Sequence, residues 1–289
     1  MILVTGASGH LGHLVIQELL KTVPASQIVA GARNLAKVQD LAASGIQLRE
    51  LDYDRPDTIQ KAVGGVTRIL LISASEVGKR VAQHKNVIEV VKQLSGLQLF
   101  AYTSILRTDN SPLMLAEEHR ATEQLIQDAK LPYVFLRNGW YSENYTENLA
   151  PVLQHGAVVG AAKDGKFSFA SRLDYATAAA KILSSDGHAG KVYELAGDVA
   201  FTLTEYAALV AKESGKSIVY QDMTEADFKS LLINVGLPDV VAGMLSNSDV
   251  AASKGALFDD SKTLSKLIGR PTTPLAESIK AGIAQIRNS

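Results

Sequence analysis

Glycines at a regular spacing near the start of the chain could bind a phosphate group. Gly6, Gly9 and Gly12 lie within the run Gly6-Ala7-Ser8-Gly9-His10-Leu11-Gly12, directly after the apolar segment Ile2–Thr5. Glycines permit a tight turn, a close approach of backbone N–H groups to a pyrophosphate, and close packing of helix on strand. The N-terminus of the following helix adds a partial positive charge. The spacing predicts a dinucleotide-binding loop. The residues expected to contact the nucleotide there are Gly6, Ala7, Ser8, Gly9, His10 and Leu11.

The end of the second apolar segment indicates which dinucleotide is bound. In NAD sites an Asp or Glu at this position accepts hydrogen bonds from the ribose 2′-OH. This chain has Ala32-Arg33-Asn34 there and no acid. The Arg33 guanidinium can form a bidentate pair with a 2′-phosphate, and Lys37 follows one helical turn later. We therefore expect NADPH as the cofactor. The alternative is that Arg33 is only a solvated surface charge.

The rest of the N-terminal half alternates short apolar runs with amphipathic stretches, which is typical of βαβ units on a parallel sheet. The predicted strands are Ile2–Thr5, Gln27–Ala32, Gln47–Leu51, Arg68–Ile72, Leu99–Thr103 and Tyr133–Arg137. The predicted helices lie near 10–21, 34–43, 56–63, 78–95 and 111–129. The predicted fold class is therefore α/β, a Rossmann doubly wound parallel sheet with helices on both faces.

After residue 138 the alternation loosens. Further helices are predicted near 142–153, 172–184, 204–214, 224–235 and 275–287, with a strand at Val192–Leu195. We interpret residues 1–138, with returning segments near 168–197, as an NADP-binding Rossmann domain. Residues 139–289 are then a smaller α/β lobe that binds the substrate.

Polar and aromatic residues follow the predicted strands, and ligands of such folds bind beyond the carboxyl ends of the strands. Asp52 and Tyr53 are expected beside the adenine. The other expected nucleotide contacts, towards the ribose and nicotinamide, are Ser73, Ala74, Ser75, Thr103, Ser104, Arg137, Asn138, Gly139, Trp140, Tyr141 and Ser142. Taken singly, each of these residues could equally be an ordinary strand-end cap.

Composition excludes several classes of chemistry. The 289 residues contain no cysteine, which excludes thiolate nucleophiles, cysteine-ligated zinc and redox-active disulfides. The six histidines form no metal-ligand pattern, so no metal is expected. The net charge of −1 gives no basic patch that would favour nucleic acid. No signal peptide is recognisable and the apolar runs are only strand-length, so we expect a soluble cytoplasmic protein with no integral membrane segment.

Several longer strings resemble the NmrA-like atypical short-chain dehydrogenase/reductases. Besides the glycine loop they are ISASEVGKR (72–80), AYTSIL (101–106) and LRNGWYSENY (136–145). The strings at 191–197 and 253–273 are similar to those of the quinone reductases within that family. The similarity extends to about residue 280. It implies reduction of a quinone by NADPH, on a Rossmann domain with a small C-terminal lobe.

The proton donor of most short-chain dehydrogenases is missing. Those enzymes carry Tyr-x-x-x-Lys after the fifth strand, and the Tyr donates the proton. Aligning Glu123 with the Glu that often follows the motif places His119 at the Lys position and Leu115 at the Tyr position. A quinone accepts hydride directly and its oxyanion is stabilised by resonance. The sequence therefore favours hydride transfer from NADPH to a quinone without flavin or metal. The alternative is a non-enzymatic, redox-sensing regulator of the NmrA type that binds NADP and a protein partner.

Two side chains remain as candidates for the chemistry. His119 is expected to face the nucleotide crevice and to donate to a quinone oxygen or to the ribose. Tyr141 follows the sixth strand and offers a ring for stacking on a flat quinone or the nicotinamide. Ordinary packing is the alternative for both. The sequence leaves open the physiological quinone and the choice between monomer and homodimer.

Overall fold

The structure is a computed structural model that describes residues 1–288. Within them the strands are β1 (Ile2–Val4), β2 (Ile28–Ala32), β3 (Gln47–Glu50), β4 (Arg68–Leu71), β5 (Leu99–Ile105), β6 (Tyr133–Asn138), β7 (Ala157–Gly160), β8 (Lys191–Leu195) and β9 (Val219–Asp222).

The α-helices of the same residues are α1 (His10–Leu19), α2 (Gln39–Ala42), α3 (Pro56–Ala62), α4 (Arg80–Val91), α5 (Met114–Asp128), α6 (Glu143–Thr146), α7 (Leu149–His155), α8 (Arg172–Ser184), α9 (Leu203–Ser214), α10 (Glu225–Asn234), α11 (Asp239–Ser253), α12 (Thr263–Ile268) and α13 (Leu275–Asn288).

The main sheet has seven strands in the order β3-β2-β1-β4-β5-β6-β8. The registers from β3 to β6 are all parallel. The strand order reverses direction between β1 and β4, which is the switch point at which doubly wound sheets form a crevice. The predicted Rossmann α/β class is confirmed.

Both faces of this sheet are covered because successive strand side chains point to opposite sides. On one face α1 and α8 pack against each other and against the strands. On the other face, residues of β1, β4, β5 and β6 form a buried core with α3, α4 and the second half of α5. The members of that core include Leu3, Ile69, Leu71, Phe100, Tyr102, Phe135, Ile59, Val87, Val91 and Ile126.

The chain divides into two compact units. Unit 1 consists of residues 1–108, 117–138 and 172–193, and it contains the sheet from β1 to β6. Unit 2 consists of residues 109–116, 139–171 and 194–288. The segment 109–116, which the sequence-based division places in the first domain, clusters with unit 2.

The helix predicted over 142–153 is two helices, α6 and α7. Asn148 separates them with a backbone outside the helical region, at φ −112° and ψ 31°. Pro151 explains the break, because proline lacks an N–H and fits only in the first turn of a helix. A helix that contains Pro151 must therefore begin shortly before it, as α7 does at Leu149.

Unit 2 contains a buried carboxylate on α11. Asp249 is 5% exposed, and its Oδ2 accepts a hydrogen bond of 2.9 Å from the Ala161 N–H. The Tyr145 hydroxyl donates to Oδ1 over 3.5 Å. Burial raises the pKa of Asp249 to about 6, against the lowering effect of these two donors. Ionisation of this carboxyl therefore costs the folded state free energy.

Asp249→Asn is expected to stabilise the protein at neutral and alkaline pH. The folded pKa of Asp249 lies above the value of about 3.9 for an unfolded Asp, so wild-type stability falls as pH rises from about 4 through 6 and stays low above that range. The variant avoids this loss and should gain about 1–3 kcal/mol above pH 7, with little gain near pH 4. Denaturant unfolding across pH measures the difference. Asp164→Asn, at an exposed carboxylate, is the control. An equal effect of both variants, or a gain that does not grow with pH, would contradict this account.

Candidate functional site

The glycine loop joins β1 to α1 and is held by backbone hydrogen bonds, one within the loop and one to β2. Ala7 N–H donates to Gly31 O at 3.0 Å, and Gly9 N–H donates to Gly6 O at 2.9 Å. Gly6 has a left-handed backbone with φ 60°. A Cβ on Gly12 would lie 2.4 Å from the Gly6 carbonyl oxygen. Side chains at Gly6 or Gly12 would therefore strain the loop or push α1 away from it.

The first turn of α1 points an uncompensated partial positive charge at this loop. Gly9 is the N-cap residue and has no side chain to accept the first-turn amides. The residues from His10 to His13 include no acid. The amides of Leu11 and Gly12 have no preceding turn of helix to bond with. This is the arrangement in which helix N-termini bind phosphate.

A cavity of about 230 Å³ lies in unit 1 at the carboxyl ends of β1, β2 and β4. The predicted nucleotide contacts that line it are Gly6, Ser8, Gly9, Arg33, Asp52, Tyr53, Ser73, Ala74 and Ser75. The lining residues that sequence reasoning missed are Ala32, Leu51, Ile72, Glu76 and Gln83. Most of these lie directly beside a predicted residue, and only Gln83 comes from a helix interior.

A ring of hydrogen bonds fixes one wall of the cavity. Thr5 Oγ1 accepts from Ile72 N–H at 3.0 Å, and the Tyr53 hydroxyl donates to Ile72 O at 2.8 Å. The Thr5 hydroxyl is left to donate to the Tyr53 oxygen, so every group is satisfied. Burial raises the pKa of Tyr53, which keeps this phenol neutral. The Tyr53 ring thus lines the cavity while its hydroxyl joins β1 to the end of β4.

Side chains of α4 and β5 form hydrogen bonds with the backbone of the loop after β4. The His84 Nε2 accepts from Ala74 N–H at 2.9 Å, and Arg80 Nε donates to Ala74 O at 2.7 Å. Burial lowers the pKa of His84 to about 3, so the ring is neutral and Nδ1 carries the proton, directed at Thr122 Oγ1. Thr103 Oγ1 accepts from Ser73 N–H at 2.8 Å. Thr103, a predicted nucleotide contact, therefore supports Ser73 and does not itself line the cavity.

The two predicted phosphate-binding cations lie at different places. The Arg33 side chain is 63% exposed at the cavity rim and pairs with Glu76 Oε1 at 3.1 Å. Lys37 is exposed on the 3₁₀ turn Leu35–Val38 and is not among the cavity-lining residues. Arg33 is therefore the better placed of the two.

Several other residues that were expected to contact the nucleotide form hydrogen bonds with residues of unit 1 outside the cavity lining. Ser104 Oγ lies 3.0 Å from Thr108 Oγ1. Arg137 forms a buried, bidentate pair with Glu123, with Nε to Oε1 at 3.0 Å and an Nη to Oε2 at 2.6 Å. Asn138 O accepts from Leu106 N–H at 2.9 Å. The structure does not place these residues in the cavity lining.

Further predicted contacts belong to the loop, to α1 or to unit 2. Ala7 is fully buried and Leu11 is 8% exposed, while His10 is exposed at the start of α1. Gly139, Trp140, Tyr141 and Ser142 are in unit 2, where Tyr141 forms a backbone bridge with Ala170. Their contacts with a nucleotide stay predictions.

His119 is in unit 1 but not in the cavity lining. Its ring is 6% exposed, and Nδ1 lies 2.7 Å from the hydroxyl of the fully buried Tyr102. Burial lowers the pKa of His119 well below its usual value, so the imidazole is neutral. Nδ1 is therefore paired with Tyr102 inside unit 1, and the expected orientation of the ring towards the crevice stays a prediction. A chemical role for His119 stays a prediction.

Comparison with known proteins shows which family the chain belongs to. The model of the NmrA-like family matches residues 1–277. The chain belongs to the NmrA-like family. The family resemblance that the sequence motifs indicated is confirmed.

Individual known proteins are similar to this chain over nearly its whole length. Quinone oxidoreductase 2 of Escherichia coli is 58% identical over 279 residues, which cover 96% of this chain and 97% of that protein. A solved structure of the NADPH-dependent quinone oxidoreductase from E. coli with NADPH has a TM-score of 0.95, 58% identity and coverage of 97% and 99%. Triphenylmethane reductase of Citrobacter sp. with NADP(H) has a TM-score of 0.93, 38% identity and coverage of 98% and 100%.

Two features are absent from the part of the chain that the structure describes. Within residues 1–288, no helix combines the length and apolar character that a membrane crossing needs. In the same range, no three or more His, Asp or Glu side chains are grouped so that they could hold a metal ion.

Proposed function

We propose that this NmrA-like protein is an NADPH-dependent quinone reductase that transfers hydride directly to a quinone. The observation that carries the proposal is the 58% identity to E. coli quinone oxidoreductase 2 over nearly the full length of both chains. The nucleotide cavity of unit 1 supports it independently. Its glycine loop suits a pyrophosphate, and its rim has a guanidinium where an NAD site would have an acid.

Different residues of the cavity fit different groups of NADPH. The amides at the start of α1, with Gly6, Ser8 and Gly9, would hold the pyrophosphate. Arg33 would hold the 2′-phosphate through its fork of donors. Tyr53 presents a fixed ring to the base. When bound, NADPH supplies the hydride, and the chain's own task is to bind and orient the reactants.

The substrate side is proposed for residues 139–289. Tyr141 would offer a stacking surface for a flat quinone. No flavin is needed, because a quinone accepts hydride directly. The absence of Tyr-x-x-x-Lys is consistent with a substrate whose reduced oxygen needs little help from an acid. We also propose that the protein acts in the cytoplasm.

The competing proposal, a redox-sensing regulator, is less well supported. It accounts for the missing Tyr-x-x-x-Lys and for the nucleotide cavity. It does not account for the 58% identity to an enzyme over nearly the whole chain. The two proposals differ in turnover, because a regulator binds NADP without consuming NADPH.

The choice of substrate tests the proposal. Purified protein should oxidise NADPH with 1,4-benzoquinone and should show no measurable activity with cyclohexanone, since a ketone needs the proton donor that Leu115 replaces. The decrease in absorbance at the nicotinamide band measures both. Comparable rates with both substrates would contradict direct, acid-independent reduction.

His119→Ala tests the remaining candidate proton donor. If the Tyr102 hydroxyl donates to Nδ1 of the neutral ring, the ring proton is on Nε2. If Nε2–H assists the quinone oxygen, kcat should fall about tenfold, below the usual range for general acids because a quinone needs less help. The dissociation constant of NADPH should not change. Wild-type kcat in a folded but less stable variant would instead assign His119 to the pairing with Tyr102.

A further inference from the structure

The Arg33 guanidinium, which is proposed to bind the 2′-phosphate of NADPH, is paired with the Glu76 carboxylate in this structure. Glu76 lies in the loop between β4 and α4 and lines the nucleotide cavity with Arg33. Its Oε1 is 3.1 Å from the Arg33 guanidinium, and its Oε2 is 3.2 Å from Lys79 Nζ. Gln83 Nε2 donates to Oε1 over 3.4 Å.

Glu76 stays charged under ordinary conditions. The hydrogen bond from Lys79, followed by that from Gln83, lowers the pKa of its carboxyl, and Arg33 adds to the effect. The cavity rim therefore presents an anion beside Arg33, the better placed of the two cations expected to bind the 2′-phosphate.

We propose that Glu76 is a specificity-determining residue that competes with the 2′-phosphate of NADPH for Arg33 and so reduces the preference for NADPH over NADH. The inference rests on the proposed function, since it assumes that the cavity binds pyridine nucleotides. NADH has no 2′-phosphate and leaves the Arg33–Glu76 pair intact. NADPH must break this pair and then tolerate the carboxylate beside its phosphate.

The exchange is feasible because Glu76 has other partners. When Arg33 turns to the phosphate, the carboxylate keeps the contacts with Lys79 and Gln83 and is not left unpaired. The Arg33–Glu76 pair is at the surface, with side chains 63% and 36% exposed, and such pairs are weak. Like charges at this rim repel, and the repulsion weakens with salt. Glu76 therefore adjusts the affinity for NADPH without preventing its binding.

The test is Glu76→Gln, which removes the charge and keeps the length of the side chain. Calorimetric dissociation constants are measured for NADPH and NADH, and for 2′,5′-ADP and 5′-AMP as probes that lack the nicotinamide. NADPH and 2′,5′-ADP should bind about three- to tenfold more tightly, equivalent to about 0.7–1.4 kcal/mol, while NADH and 5′-AMP should not change. The gain should shrink at high salt. Glu50→Gln is the control, because Glu50 pairs with Arg55 and is not in the cavity lining.

A second variant separates the two cations. Glu76→Gln with Lys79→Gln should keep the gain if Arg33 is the group released. Loss of the gain in this double variant, no gain in Glu76→Gln, or an equal gain for NADH would each overturn the inference while nucleotide binding stands. If neither the wild type nor any variant binds a nucleotide, the proposed function fails as well.

Discussion

Gly9→Val is expected to abolish NADPH binding while the fold survives. Gly9 lines the cavity and caps α1, and a Cβ there would already lie 3.3 Å from Gly6 O. The two further methyl groups of valine would occupy the space that the pyrophosphate must enter. Its backbone, at φ −85° and ψ 159°, is extended and suits a β-branched residue. We expect affinity to fall by more than about a hundredfold, because the phosphate loses several charge-assisted hydrogen bonds together.

Calorimetry with NADPH measures the loss, and thermal unfolding checks the fold. Gly64→Val is the matched control, because Gly64 is an exposed residue outside the cavity lining. A folded Gly9→Val protein with the wild-type dissociation constant would show that the loop does not bind the pyrophosphate.

Arg33→Ala is expected to remove most of the preference for NADPH. Hydrogen bonds to charged groups contribute roughly 1.5–3 kcal/mol, or about ten- to a hundredfold in affinity. NADH cannot gain this contribution, so wild-type protein should prefer NADPH by about that factor, towards the lower end if Glu76 competes. The variant should bind NADPH correspondingly less tightly and NADH unchanged. Lys37→Ala should have a smaller effect, since Lys37 lies outside the cavity lining and offers a point charge.

Dissociation constants of both cofactors for each variant decide the matter. Arg55→Ala is the control: Arg55 is similarly exposed and pairs with two carboxylates away from the cavity. Equal weakening of NADPH and NADH by Arg33→Ala would mean that Arg33 supports the fold or the shared pyrophosphate, and that the 2′-phosphate is bound elsewhere.

The parts of the fold that the sequence predicts are those with local signals. Five of the first six strands are mainly apolar runs between turns, the exception being the polar edge strand β3. The glycine loop has a spacing with a direct geometric reason. The short strands β7 and β9 pair Ala157 with Val219, which are far apart in the chain. No turn signal in the neighbouring sequence predicts this pairing. Helix α11 mixes Ser, Asn and Gly with apolar residues and lacks a clear amphipathic period, so its sequence does not indicate a helix.

The site predictions rest on residues at strand ends. The sequence alone does not show which face of the pleated strand each of these side chains is on. Thr103 and Ser104 are neighbours, but successive side chains point to opposite faces of the sheet, so both cannot face one ligand. Thr103 supports Ser73 and Ser104 pairs with Thr108. Arg137 pairs with Glu123, and His119 pairs with Tyr102. These pairings depend on the folded chain and are not visible in the sequence.

Direct hydride transfer is tested by the stoichiometry of NADPH oxidation by purified, flavin-free protein under anaerobic conditions with a soluble benzoquinone. Each NADPH consumed should yield one hydroquinone, at a rate proportional to protein concentration and abolished in Gly9→Val. Tight binding of NADP without quinone-dependent loss of NADPH would contradict it and would favour a nucleotide-sensing regulator.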